Sequence, residues 1–153
     1  MKTWLVTGAS RGMGRELVEQ LLAGGDRVAA TVRRPGQLDD LAERYADRLW
    51  VRELDVTDTA GLRAVLDEAF TSLGRIDVVV SNAGYGVFGV AEDLTDEQID
   101  QMIATNLTAS IQLARAAVPH LRAQGGGVLM QISSMGGHVT FPAFSLYHVA
   151  KWG

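Results

Sequence analysis

Five short apolar runs recur along the chain, each separated from the next by a stretch with helical spacing: "TWLVT", "RVAATV", "LWVREL", "IDVVVS" and "GVLMQI". They are rich in Val, Leu and Ile and do not alternate cleanly with polar residues, the pattern of strands covered on both faces. Between them, "GRELVEQLLA", "QLDDLAERYA", "AGLRAVLDEAF" and "IQLARAAVPHL" place apolar residues every three to four positions, as amphipathic helices do. Strand and helix in alternation predict βαβ units, and hence an α/β fold with a doubly wound parallel sheet. Stop signals support this segmentation: Gly24 and Gly25 follow the first helical stretch, Gly74 the third, and Gln124 to Gly127 the longest. "TDEQ", Thr95 to Gln98, reads as a capping box that opens one more helix. No repeat, low-complexity tract or linker divides the chain.

Composition narrows the function classes. With 153 residues, 47% of them hydrophobic and 21% charged, the chain can bury the core of one domain. A formal net charge of −4 argues against nucleic acid and anionic membrane as general partners. There is no cysteine, which excludes disulfides, thiol catalysis and Cys-ligated metals; His120, His138 and His148 lack the spacing of a metal site. The N-terminal apolar run, Trp4 to Val6, is too short for a signal peptide or a membrane span, so a cytoplasmic location is expected.

Directly after the first strand comes "TGASRGMG", leading into "RELVEQLLA". In this context a pyrophosphate can lie against the backbone N–H groups of a helix N-terminus. Gly8 suits the tight turn, Gly12 a close approach of ligand to backbone, and Gly14 close packing of helix on strand. The spacing is TGxxxGxG and not the GxGxxG of the common dinucleotide fingerprint.

That spacing resembles the short-chain dehydrogenase/reductase family, and further motifs match the family in order over nearly the whole chain. "LDV" places Asp55 and Val56 after the third strand, "NAG" places Asn82, Ala83 and Gly84 after the fourth, and "TNLT" puts Asn106 early in the long helix. "ISS" closes the fifth strand, and "YHVAK" supplies Tyr147 and Lys151, thirteen residues after Ser134. The resemblance implies a Rossmann-type dinucleotide-binding domain over residues 1–153. It implies cofactor contacts from Gly8, Ser10, Arg11, Gly12, Met13, Gly14, Asp55, Val56, Asn82, Ala83, Gly84, Tyr147 and Lys151. It also implies a catalytic set of Asn106, Ser134, Tyr147 and Lys151, in which Asn106 holds a water that joins the lysine to solvent. The implied partners are a small-molecule carbonyl or alcohol substrate and, at full length, further copies of the chain in a homo-oligomer.

The second strand ends "ATVRRP". A carboxylate there would bind the ribose 2′-OH of NAD, whereas an arginine nearby would accept a 2′-phosphate. Val32 stands in the carboxylate's place and Arg33 and Arg34 follow, with Arg11 in the glycine loop, so NADP(H) is the expected cofactor. Tyr147 and Lys151, four residues apart, share one helix face. A phenol alone keeps its proton at neutral pH, and a nearby ammonium favours its ionised form. Tyr147 is thus the expected acid/base, and the resemblance implies that Ser134 steadies the carbonyl oxygen. Tyr85, Val87, Phe88, His138, Val139, Phe141 and Phe144 either line an apolar substrate wall or simply pack. The expected activity is hydride transfer between a nicotinamide and a ketone, aldehyde or secondary alcohol. The alternatives are a non-catalytic nucleotide-binding or scaffold protein of the same fold, and an NAD-dependent alcohol dehydrogenase.

Helix-compatible sequence is still running at "HVAKW", although Gly153 can act as a C-cap. The resemblance places two more strands and a lid beyond this helix, so the stop at Gly153 is expected to be an artefact of what was sequenced. By itself the chain would leave "GVLMQI" as an exposed apolar edge and the last helix prone to fray.

Overall fold

The five apolar runs become β1 (Thr3–Val6), β2 (Arg27–Val32), β3 (Leu49–Glu53), β4 (Val78–Ser81) and β5 (Val128–Gln131) in a computed structural model that describes residues 1–153. The helical stretches become α1 (Gly12–Ala23), α2 (Asp39–Arg44), α3 (Thr59–Leu73), α4 (Asp96–Ile103), α5 (Ala109–Ala123) and α6 (Ser145–Trp152). All neighbouring strands are parallel, in the order β3-β2-β1-β4-β5. This is the doubly wound Rossmann-type sheet that the alternation predicts.

Successive strand side chains point to opposite faces, and each face here meets its own helices. Leu5, Ala29 and Val79 join Leu66 of α3 and Leu113 of α5 in one apolar cluster, whereas Val6, Ala30 and Val80 join Val18 and Leu22 of α1 in the other. Two apolar layers explain why the strand sequences lack polar alternation. β5, at one edge of the sheet, differs: Val128 is 51% and Met130 43% exposed.

Helix boundaries follow local chemistry. The Asp58 carboxylate accepts the Ala60 and Gly61 N–H groups and starts α3. The Thr95/Gln98 capping box starts α4. α2 is shorter than the pattern Gln37 to Ala46 predicts, because after Arg44 the chain turns and the Tyr45 carbonyl accepts the N–H groups of both Arg48 and Leu49. α4 and α5 form one helical run, joined by a π-helical segment at Ala104–Thr108. No helix is long and apolar enough to cross a membrane.

At the sheet's opposite end, Asp77 ties its elements together. Its carboxylate accepts the Thr3 N–H at 2.9 Å and the Arg75 Nε–H at 2.7 Å, while the Arg75 fork donates to the Gln124 and Gly126 carbonyls. The loops at the C-terminal ends of the strands carry the candidate residues.

Candidate active site

Strand order reverses between β1 and β4, and there the glycine loop lies against the start of the segment after β4. In an open α/β sheet ligands bind at such a crevice. Gly8 has φ +69°, and a Cβ on it would sit 2.8 Å from the Ala83 Cα. Gly14 is tighter still: a Cβ there would meet the Gly8 carbonyl oxygen and the Asn82 Nδ2. Gly12 is the opposite case, with φ +57° and nothing within 4 Å of a Cβ position. No side chain caps α1, and the N–H groups of Gly12, Met13 and Gly14 have no partner within the protein. A pyrophosphate fits this opening, because uncapped donors and a helix N-terminus face a space that only glycine leaves clear.

Neighbouring strand ends bring up further candidates. The Thr31 carbonyl at the end of β2 accepts the Ala9 N–H and anchors the glycine loop beside Ser10 and Arg11. Val32 is buried, and Arg33 and Arg34 after it are exposed. None of Arg11, Arg33 and Arg34 is ion-paired; the guanidinium pairs in the structure are those of Arg15, Arg52 and Arg75. Asp40 is engaged by Arg15, which also donates to the Gln37 carbonyl and so braces the loop after β2 against α1. Asp55 accepts the Thr57 N–H and hydroxyl at 2.9 and 2.7 Å. Those bonds, with the Arg33 charge adding to them against some burial, hold its carboxyl below the usual carboxylate range. Val56 beside it is buried beneath the sheet.

Asn82 Nδ2 donates to the carbonyls of Thr7 and Gly8 at 2.9 and 3.1 Å. The Thr7 hydroxyl in turn accepts the Asn82 and Ala83 N–H groups, so the loops after β1 and β4 are laced together. Gly84 passes close to Asn106, whose Oδ1 would lie 3.1 Å from a Cβ placed there. Asn106 is 3% exposed, in the π-helical segment and not in a regular helix start. Its amide accepts the Tyr85 N–H at 3.1 Å and donates to the Tyr85 carbonyl at 2.7 Å and to the Met102 sulfur at 3.0 Å. The Asn106 side chain thus braces the Tyr85 backbone, with both amide hydrogens engaged by the Tyr85 carbonyl and the Met102 sulfur.

Ser134, Tyr147 and Lys151 gather around the backbone that leaves β5. The Ser134 hydroxyl oxygen accepts the Gly136 N–H at 3.1 Å and caps the short 3-10 turn Met135–Gly137, whereas the adjacent Ser133 is exposed with no side-chain partner. The Tyr147 ring covers Gly136 so closely that a Cβ there would lie 2.9 Å from Cε1. Lys151 Nζ donates to the Ile132 carbonyl at 2.9 Å and lies 5.8 Å from the Tyr147 ring centroid. Of the aromatic residues in the expected wall, the Phe88 and Phe144 rings lie tilted at 30° with centroids 3.9 Å apart, Phe144 meets Tyr147 at 4.9 Å, and the Gly89 N–H bonds the Ala143 carbonyl. Phe88, Val139 and Phe141 remain exposed.

Thr7, Gly136 and His148 are structurally central here and were not among the expected site residues. Thr7 was legible as the last strand residue before Gly8, but no sequence feature marks Gly136 as the surface under Tyr147. No group of three or more His, Asp or Glu side chains could hold a metal ion.

The chain matches the family model for short chain dehydrogenases over residues 2–153. It is 38% identical over 152 residues to an oxidoreductase of Botryotinia fuckeliana, an alignment that covers 99% of this chain and 56% of that protein. A short-chain dehydrogenase structure from Streptomyces avermitilis superposes with a TM-score of 0.94 at 39% identity, over 99% of this chain and 57% of the other. An alcohol dehydrogenase from Thermococcus sibiricus, complexed with 5-hydroxy-NADP, gives 0.93 at 28% identity, over 99% and 66%. The chain thus spans a little over half the length of the first two relatives.

Proposed function

This chain belongs to the short-chain dehydrogenase family, a family of oxidoreductases, and from that premise we propose that the protein is an NADP(H)-dependent carbonyl reductase or alcohol dehydrogenase. The observation that carries the reading is the gathering of Ser134, Tyr147 and Lys151 around the Ile132–Gly137 backbone, beside an uncapped glycine loop. When bound, the nicotinamide supplies or accepts the hydride. The Gly12–Gly14 N–H groups would hold the pyrophosphate, and Arg11, Arg33 and Arg34, none of them in a salt bridge, would receive the 2′-phosphate. The bound nicotinamide derivative in the Thermococcus sibiricus relative supports the cofactor class.

In reduction, Tyr147 gives its phenolic proton to the carbonyl oxygen, and the Lys151 ammonium stabilises the phenolate left behind. Ser134 takes an orienting role: with Gly136 N–H occupying one acceptor site, its hydroxyl hydrogen is free to point at the substrate oxygen. Asn106 holds the Tyr85 backbone that borders the site. Phe88 and Phe144 favour a hydrophobic ketone or aldehyde over a charged metabolite.

Cofactor oxidation measured across a panel of ketones and aldehydes tests this. Turnover is expected with NADPH binding tighter than NADH, Tyr147→Phe should abolish turnover while sparing cofactor binding, and Arg33→Asp should shift preference toward NADH. Equal affinities for the two cofactors would refute the NADP assignment. Near wild-type kcat in Tyr147→Phe would refute the acid/base.

A further inference from the structure

His148 follows Tyr147 in α6 and is buried at 7% exposure, yet the reaction above gives it no task. Both of its ring nitrogens are used: Nδ1 lies 2.8 Å from the Gly136 carbonyl oxygen, and Nε2 accepts the Phe141 N–H at 2.8 Å. A carbonyl can only accept and a backbone N–H only donate, so the network assigns a neutral ring with its proton on Nδ1. Both partners lie in the segment between Ser134 and Tyr147. Phe141 and Phe144 flank the same imidazole, with centroids at 5.9 and 5.8 Å.

Gly136 is the shared reference point. Its N–H fixes the Ser134 hydroxyl, its Cα supports the Tyr147 ring, and its carbonyl is gripped by His148. We propose that His148 is a positioning residue for the reaction proposed above, a role that rests on that reading. Through Gly136 and Phe141 it holds the Met135–Phe144 segment so that the Ser134 hydroxyl, the Tyr147 phenol and the Phe144–Phe88 wall address one carbonyl. The glycine loop and the arginines after β2 make no bond to this segment, so the groups that would hold the cofactor's phosphates do not depend on it.

The experiment uses the full chain with His148→Phe, which keeps a ring but can make neither bond, and His148→Asn, which keeps a donor near the Nδ1 position. His148→Phe should lower kcat/KM for the carbonyl by about tenfold or more, chiefly through KM, with the NADPH dissociation constant changed by less than about twofold. His148→Asn should recover at least about a third of the wild-type value. A kcat/KM within about twofold of wild type in His148→Phe overturns the proposal, as does cofactor binding that weakens in step with KM, which marks a general loss of structure. So does His148→Asn performing no better than His148→Phe. Hydrogen exchange at the Phe141 amide needs no turnover: it should be protected in the wild type and exchange much faster in His148→Phe. An unprotected wild-type amide refutes the clamp. Protection in a wild type that turns over no carbonyl would instead refute the proposed reaction, and the positioning role with it, but not the clamp.

Discussion

A methyl group at Gly14 should cost the fold more than one at Gly12, although Gly12 faces the candidate ligand. The Gly14→Ala Cβ would meet the Gly8 carbonyl oxygen and Asn82 Nδ2, where ordinary contact begins at 3.4 Å, so both neighbours must retreat by about 1 Å. Asn82 then strains or loses its bonds to the Thr7 and Gly8 carbonyls. Two such bonds at about 1 kcal/mol each, with about 1–3 kcal/mol for overpacking, are offset by about 1 kcal/mol of helix propensity gained. The net loss is about 2–4 kcal/mol, or roughly 4–16 °C in Tm for a chain of this size. Gly12→Ala meets no atom, and its left-handed φ costs about 1 kcal/mol, but its methyl enters the space where the pyrophosphate would lie. Urea and thermal melts without ligand should rank Gly14→Ala as the less stable variant, while NADPH fluorescence titration should show Gly12→Ala binding at least about tenfold more weakly than wild type. A Gly14→Ala protein within about 0.5 kcal/mol of wild type would refute the packing argument.

Thr31 is fully buried and its hydroxyl has no hydrogen-bond partner, so Thr31→Val should raise stability in urea melts by about 1 kcal/mol. Acid should destabilise the fold through Asp77, held below the usual carboxylate range by the Thr3 N–H and then by Arg75, and through Asp26, lowered first by the Lys2 N–H and also by the Trp4 indole. Depressed carboxyls contribute stability that is present above the unfolded pKa, near 3.9, and lost as pH falls through the folded value, so a melt series should be flat down to about pH 5 and drop below about pH 4; Asp77→Asn should shrink that drop and cost about 1 kcal/mol at neutral pH. Ser134→Ala should lower kcat more than Ser133→Ala, because Ser133 is exposed and bonds nothing; the reverse order would reassign the hydroxyl.

The strands were legible because burial on both faces removes polar alternation, as Leu5 and Val6 show by entering opposite cores. β5 is the same kind of apolar run, and its exposure followed from its place at the end of the strand order and not from residue type, which records nothing of what covers a strand. The glycine loop and the Tyr147/Lys151 pair were legible because each is a local motif whose spacing is itself the geometry. The π-helical segment was not, as nothing in "ATNLT" departs from helical pattern; what marks it in the structure is a contact between residues 21 apart in sequence, Asn106 and Tyr85. His148 was read only as a histidine without metal spacing, because both of its partners are backbone atoms and leave no side-chain signature.

Several candidate groups already carry structural bonds, and this changes how substitutions at the site must be read. Ser134 caps a turn as well as facing the proposed carbonyl, so Ser134→Ala removes a donor and frees the Gly136 N–H at once. Asn106→Ala would likewise release both backbone bonds of Tyr85, moving the loop that carries Phe88. Lys151 spends one hydrogen on the Ile132 carbonyl, which fixes its ammonium near Tyr147 and joins the last turn of α6 to the end of β5. Tyr147 is the exception, because its hydroxyl bonds no protein atom while its ring packs on Gly136 and Phe144. Tyr147→Phe keeps the ring and deletes only the proton carrier, so among single substitutions of the four candidate catalytic residues it isolates the chemical step from the architecture around it.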